Sequence, residues 1–176
     1  FTLNNLRSLL TNAAPLLIYA TGMTYILVLG EIDLSVGSVG ALGAAFWILS
    51  MTKYSVPLPL AFLLAIVTGC LCGLLTGFMV VYLKINAFMV TLGMQFALRG
   101  ICYLVCGGEQ ILTTDAVHDF ANYRLASLSP LVYISLIIAV VMMLVYKYTA
   151  YGRRVQACGC NRVAARMIGI NVDRTK

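Results

Sequence analysis

Charge is what this sequence has least of. Six of its 176 residues are acidic and twelve are Lys or Arg, so 10% of the chain is charged and 61% is hydrophobic, against about 25% charged in an ordinary soluble domain. So few charges cannot cover a surface in water, and the chain reads as a membrane protein in which no segment has the make-up of a soluble domain. Histidine occurs once, at His118. No Ser/His pair and no metal-spaced cluster falls in an apolar run, which argues against an intramembrane enzyme. A G-x-x-x-x-G-K-[ST] phosphate loop is missing, so any ATP-driven work needs another chain. Proline is scarce at 4 and glycine frequent at 15, as expected where helices approach closely within lipid.

What is present is a series of apolar runs near 20 residues, the length that crosses about 30 Å of hydrocarbon. Five are expected, over 13–30, 34–50, 57–83, 86–106 and 130–146, the third long enough to tilt or break and the fourth interrupted by Arg99. The fold class is therefore an all-α polytopic helical bundle. Residues 107–124, carrying Glu109, Asp115, His118 and Asp119, are too polar to span and read as a loop. Residues 147–176 hold eight charged residues and lie outside the lipid. The organisation is thus a transmembrane region over 1–146 and a terminal segment over 147–176.

Orientation follows from the basic residues, which are in excess on cytoplasmic flanks. With the tail inside, Lys84, Lys147, Arg153, Arg154, Arg162, Arg166, Arg174 and Lys176 are cytoplasmic, and Arg7, Lys53, Arg99 and Arg124 lie on or near the outer side. The net charge of +6 is then a topology signal, and no nucleic-acid surface is implied. Five crossings put Phe1 outside. No cleavable signal peptide precedes it, so at least one earlier helix is expected.

The six cysteines read as small packing residues or free thiols, since Cys102 and Cys106 stand one helical turn apart and the Cys158/Cys160 pair has no nearby His. Gly69, Gly73 and Gly77 recur every four residues, a small-residue stripe that lets helices meet at backbone distance. Gly37, Gly40 and Gly43, with Ala41 and Ala44, form a similar stripe in the second run.

The stretch "LVLGEIDLSVGSVGALGAAF" places Glu31 and Asp33 between two uncharged runs, where a carboxylate costs a few kcal/mol at the bilayer centre. There is no room for a long loop, so the turn is abrupt. The Asp33 carboxylate can accept hydrogen bonds from the first turn of the following helix, Ser35 can share that duty, and Ser38 follows on nearly the same face. A capped helix break and a break lining a substrate path are compatible readings, because irregular backbone at depth is tolerated only beside protein or water. Glu31 has no cap role by itself.

Gly30, Ile32, Asp33, Leu34, Ser35, Val36, Gly37 and Ser38 resemble the signature of the inner-membrane permeases of bacterial ribose-type ABC importers. "FTLNNLRSLL" resembles the segment entering that signature, "NAFMVTLGMQFALRG" a later helix, and "YGRRVQACGCNRVAARMIGINVDRTK" the main cytoplasmic loop. The chain then reads as roughly the middle half of such a permease. The resemblance implies a multi-pass protein of the bacterial inner membrane that moves a ribose-like or other monosaccharide, with no cofactor and no metal. It also implies a cytoplasmic ATP-binding subunit, a periplasmic or lipoprotein substrate-binding protein and a second permease subunit as partners. Asp33, Ser35, Gly37 and Ser38 would form the helix break and path. Contacts to the ATPase would fall on Tyr151, Gly152, Arg153, Gly159, Asn161, Val163, Ala164, Ala165, Met167 and Gly169.

Within that loop, Asn161 is a good N-cap, Gly169 a good stop, and Val163 and Met167 share one face. Such a helix needs a partner for its apolar side, either the ATPase or the lipid headgroups. Five positions depart from the resembling pattern: Glu31 for Gly, Asn86 for Pro, Cys160 for a second Gly, and Arg162 with Val163 for an acidic or polar pair. An ion-coupled secondary transporter, with Glu31 and Asp33 holding Na⁺ or H⁺ at a broken helix, is the alternative. It leaves the capped loop helix unexplained.

Overall fold

The computed structural model describes residues 2–109, 111–112, 117–119, 123–124 and 128–176. Five of its helices are long and apolar enough to cross a membrane: α1 (Leu3–Val28), α2 (Val36–Tyr54), α3 (Leu58–Val81), α4 (Ala87–Cys106) and α5 (Pro130–Tyr148). Their lengths run from 19 to 26 residues, roughly 30 to 40 Å at 1.5 Å per residue. Three short helices follow: α6 (Ala150–Cys160), α7 (Arg162–Met167) and α8 (Val172–Thr175). The chain is an all-α, multi-pass membrane protein.

Two features of the helices stand apart from the expectation. Helix α1 begins ten residues before the apolar run, because the Thr2 hydroxyl caps it by accepting from the Asn5 N–H at 3.4 Å and nothing polar in 3–12 breaks it. The long third run is one continuous helix. Pro57 and Pro59 sit at its start, where a missing N–H costs nothing and a fixed φ helps. Asn86 has a clear local role, capping α4 by accepting from the Phe88 N–H at 2.9 Å. Of the polar loop expected over 107–124, residues 110, 113–116 and 120–122, Asp115 among them, lie outside the described residues.

The chain divides into two compact units. One, Phe1–Glu31 with Phe120–Lys176, packs α1 on α5 and folds α6, α7 and α8 onto them. Its core is Tyr25, Leu29, Val155, Cys158, Ala165 and Val172. The Tyr25 hydroxyl donates to the Met142 carbonyl at 2.5 Å, and its ring meets Tyr146 edge-on with centroids 5.7 Å apart. An aromatic residue that is apolar along its body and bonded at its tip suits a helix contact in lipid.

The other unit, Ile32–Asp119, packs α2 against both α3 and α4 around Leu42, Cys72, Val90, Met94 and Leu98. Helices α2 and α3 meet closely at Gly43, where a Cβ would stand 3.4 Å from the Ala65 carbonyl oxygen, and beside the fully buried Ala61. The stripe expected at Gly69, Gly73 and Gly77 works only in part within this chain. Gly69 faces Val39, whereas a Cβ at Gly73 or Gly77 would meet nothing within 4 Å. Gly73 lies on the exposed side of α3 with Leu71, Leu74 and Leu75, an apolar surface of the kind that faces lipid.

Candidate functional site

Helix α1 ends in a Schellman turn. Gly30 takes the left-handed conformation at φ 73°, its N–H donates to the Leu27 carbonyl at 3.0 Å, and the Glu31 N–H donates to the Ile26 carbonyl at 3.1 Å. A residue with a Cβ is strained at that φ, which explains glycine there. The chain then runs without helix until α2 begins at Val36.

One oxygen of Asp33, Oδ1, accepts from both the N–H of Ser35 at 2.7 Å and its hydroxyl at 2.6 Å. The carboxylate therefore holds the residue that precedes α2, one step short of the first-turn amides the sequence suggested. Ser35 also departs from expectation: its buried side chain donates to Asp33 and does not cap α2. The Ile32 carbonyl is taken by the Thr91 hydroxyl at 3.3 Å, tying the break to the first turns of α4. The Ser35 N–H and the Ile32 carbonyl at the break are thus satisfied from within the protein.

Gly37 and Ser38, in the first turn of α2, face a cleft of ≈ 580 Å³ between α2 and α4, in the range of about 300–1,000 Å³ usual for small-molecule sites. Leu34 and Ala41 complete its α2 side. Gln95, Arg99, Cys102 and Cys106 line the other, with Tyr103, Gly108 and Glu109 toward the far end of α4. Asp33 and Ser35 do not line it. The sequence reading missed Gln95, Tyr103 and Glu109 as site residues and met Arg99 only as an interruption. The signal was available, since Gln95, Arg99, Cys102 and Cys106 repeat at helical spacing along one face, and a charge inside an apolar span marks a pathway by default.

The terminal segment is built from caps. The Thr149 hydroxyl accepts from the Gly152 N–H at 3.2 Å to start α6. The Asn161 side chain accepts from the Val163 and Ala164 amides at 2.9 and 3.1 Å to start α7, and Asn171 from the Arg174 amide at 3.0 Å to start α8. Helix α7 closes in a second Schellman turn: Gly169, at φ 83°, donates to the Arg166 carbonyl and Ile170 to the Ala165 carbonyl, both at 3.0 Å.

The residues expected to meet an ATPase divide into two sets. Gly152 and Ala165 are buried, and a Cβ at Gly152 would collide with the Tyr146 carbonyl. Gly159 passes the Val28 carbonyl with no room for a Cβ, and Tyr151 stacks on Tyr25 at 6.2 Å. These hold the segment to its own unit. Arg153 is exposed and donates to the Tyr148 carbonyl at 3.3 Å. Asn161, Ala164 and Gly169 are exposed around α7, and Val163, Met167 and Ile168 are 65, 79 and 73% exposed beside them.

Glu31 is held by two cations, Arg162 Nη2 at 2.8 Å and the Lys176 ammonium. Burial pushes its carboxyl up, but the hydrogen bonds and charges of Lys176 and Arg162 together outweigh that and hold it below the usual carboxylate range. By contrast, the Arg166–Asp173 pair at 3.3 Å is more than 60% exposed on both sides, where ion pairs add little.

The chain is 37% identical over 165 residues to the galactofuranose transporter permease protein YtfT of Escherichia coli K12, covering 93% of this chain and 48% of that protein. It is 34% identical over 182 residues to the ribose import permease protein RbsC of Haemophilus influenzae, covering 100% of this chain and 56% of the relative. With the autoinducer 2 import system permease protein LsrC of Yersinia enterocolitica the identity is 32% over 174 residues, 98% of this chain and 48% of the relative. The chain thus spans about half the length of the curated relatives it matches. No solved structure matches it. A family profile described as branched-chain amino acid transport system / permease component matches residues 5–176, and with its five apolar helices, its broken entry to α2 and its capped terminal helices the chain belongs to that family.

Proposed function

We propose that this chain is part of the permease subunit of an ATP-binding-cassette importer that carries a sugar across the bacterial inner membrane. The observation that carries the reading is α7: a six-residue helix, capped at both ends, with Ala165 buried in its own unit and Val163, Met167 and Ile168 exposed. A helix this short is not stable alone in water. Its caps hold it in place while three apolar side chains wait for a partner, and a cytoplasmic ATPase subunit is that partner. The sequence contains no nucleotide-binding loop of its own, so the energy comes from that second chain.

The relatives' names support the sugar class, since they are a galactofuranose, a ribose and an autoinducer 2 permease. In this reading the cleft of Gly37, Ser38, Gln95 and Arg99 is one wall of the path, and Asp33 with Ser35 shapes the break beside it. A substrate-binding protein delivers the sugar from outside, and a second permease subunit completes the pathway. The ion-coupled alternative is weaker, because one oxygen of each carboxylate, Glu31 Oε1 and Asp33 Oδ1, already accepts from protein donors and Glu31 is already paired with two cations.

The test is the double substitution Val163→Asp with Met167→Asp in the complete permease. Burying these side chains is worth roughly 1.5 to 3 kcal/mol each before the costs of association are taken off. ATPase-subunit co-purification and substrate-stimulated hydrolysis should collapse, while membrane insertion persists. Normal recruitment of the ATPase would reduce α7 to a membrane-surface element and end the docking assignment.

A further inference from the structure

Two charged residues stand out of pattern in the sequence, Glu31 where the resembling permeases commonly have glycine and Arg162 where they have an acidic or polar residue. They are 131 positions apart, and they meet. Arg162 Nη2 lies 2.8 Å from Glu31 Oε1 and also donates to the Leu29 carbonyl at 2.7 Å. That carbonyl lies just past Ile26 and Leu27, whose acceptors the Schellman turn of α1 uses. A helix end carries partial negative charge, so the guanidinium sits where a carboxylate and an open carbonyl converge. Both bonds come from one nitrogen, Nη2, whose two N–H groups can serve one acceptor each.

The same spot is braced from below. Gly159 passes the Val28 carbonyl with no room for a Cβ, and Leu29 is buried with Val155, Cys158 and Ala165. The end of α6 and the start of α7 are therefore seated on the C-terminal end of α1 by backbone contact, core packing and charge together. Arg162 immediately precedes Val163, the first exposed apolar residue of α7.

From this geometry we infer that Arg162 is a positioning residue, a clamp between the partner-facing helix α7 and the end of α1. A push on Val163 and Met167 reaches α1 through one residue and its two hydrogen bonds, to the Leu29 carbonyl and the Glu31 carboxylate. Without the clamp, the short helix would pivot on its Asn161 cap and the push would be lost. The inference rests on the docking reading of α7 and adds how docking is transmitted into the membrane helix. Lys176 shares the Glu31 carboxylate, so removing Arg162 leaves that carboxylate compensated and isolates the loss of the clamp.

The experiment uses the full-length permease assembled with its ATPase subunit and binding protein in proteoliposomes, reading ATP hydrolysed per sugar carried. Arg162→Ala and Glu31→Arg should each keep the ATPase subunit bound and hydrolysing while raising that ratio about three-fold to ten-fold, the range for loss of a half-exposed ion pair with its backbone bond. Arg162→Lys should fall between wild type and Arg162→Ala. The exchange Glu31→Arg with Arg162→Glu should recover part of the coupling lost in the singles, a non-additivity that independent structural damage does not produce. Assembly is checked by size exclusion, and Glu31→Gln, which keeps the acceptor oxygen, should be the mildest change and serves if Glu31→Arg does not assemble. A wild-type ratio in Arg162→Ala, or strict additivity in the exchange, overturns the clamp. Undisturbed ATPase capture by the Val163→Asp, Met167→Asp protein overturns the docking reading instead, whatever Arg162 does.

Discussion

Asp33 gives a single oxygen to two donors, both on Ser35. That chemistry needs a carbonyl-like acceptor at Oδ1 and no negative charge. Asp33→Asn should therefore keep most expression and uptake, because the amide oxygen accepts the same two hydrogen bonds, whereas Asp33→Leu leaves the buried Ser35 hydroxyl unpaired and should cost about 1 kcal/mol or more. Uptake measured across Na⁺ and pH conditions separates a structural role from an ion site. Abolition of transport by Asp33→Asn, with a changed Na⁺ or pH dependence, would point to the ion site. At this scale the sequence was informative only locally. Asp33, Ser35 and Asn161 could be read as cap or turn residues because each acts within three positions of itself. Glu31 could not, since its partners are Arg162 and Lys176 and nothing in a single sequence links positions so far apart.

Helix ends carried most of the legible structure. Five apolar runs of the right length became five helices, and the Asn161 and Gly169 signals became the two ends of α7, because hydrophobic length and capping are local properties. Helix α6 was not foreseen, as its run "AYGRRVQACGC" is neither apolar nor cleanly periodic, and its stability comes from burying Val155 and Cys158 against α1. Gly152 shows why some loop residues were assigned to a partner on resemblance while the structure gives them a packing role inside their own unit. Its backbone passes the Tyr146 carbonyl so closely that any Cβ collides with main chain, which cannot yield as a side chain can. Gly152→Ala should thus cost about 1–3 kcal/mol and loosen the whole segment. Asn161→Ala should cost about 1 kcal/mol and loosen α7 alone. Limited proteolysis of the detergent-solubilised permease orders the two: cleavage across 150–160 should rise strongly in the glycine variant and stay near wild type in the asparagine variant. Equal protection of both would mean that the close approach at Gly152 does not hold α6 in place.

At the scale of the whole chain, we propose a topology in which the five helices cross in series and their connections alternate between the two sides of the membrane. In that proposal the junction after α1, the turn between α3 and α4 and the segment beyond α5 share one side, and the turn after α2 and the segment after α4 share the other. Contacts inside each unit agree with this alternation. Glu31, at the end of α1, meets Arg162 beyond α5, and Ile32, before α2, meets Thr91 in the first turns of α4. The same proposal puts Lys84, Lys147, Arg153, Arg154, Arg162, Arg166, Arg174 and Lys176 on the first side, and it takes that side as cytoplasmic because Lys and Arg are in excess on cytoplasmic flanks. Glu109 and Arg166 are both exposed and stand on opposite sides in this arrangement. The test requires replacing six free cysteines, of which Cys72 and Cys158 are buried. Alanine suits those two, since it keeps the core apolar and leaves only a small void. In that background a cysteine at Glu109 should react with a membrane-impermeant thiol reagent in intact cells, and one at Arg166 should react only after permeabilisation. The opposite pattern would place α7 outside, away from any ATPase, and the transport mechanism built on it would fall with the orientation.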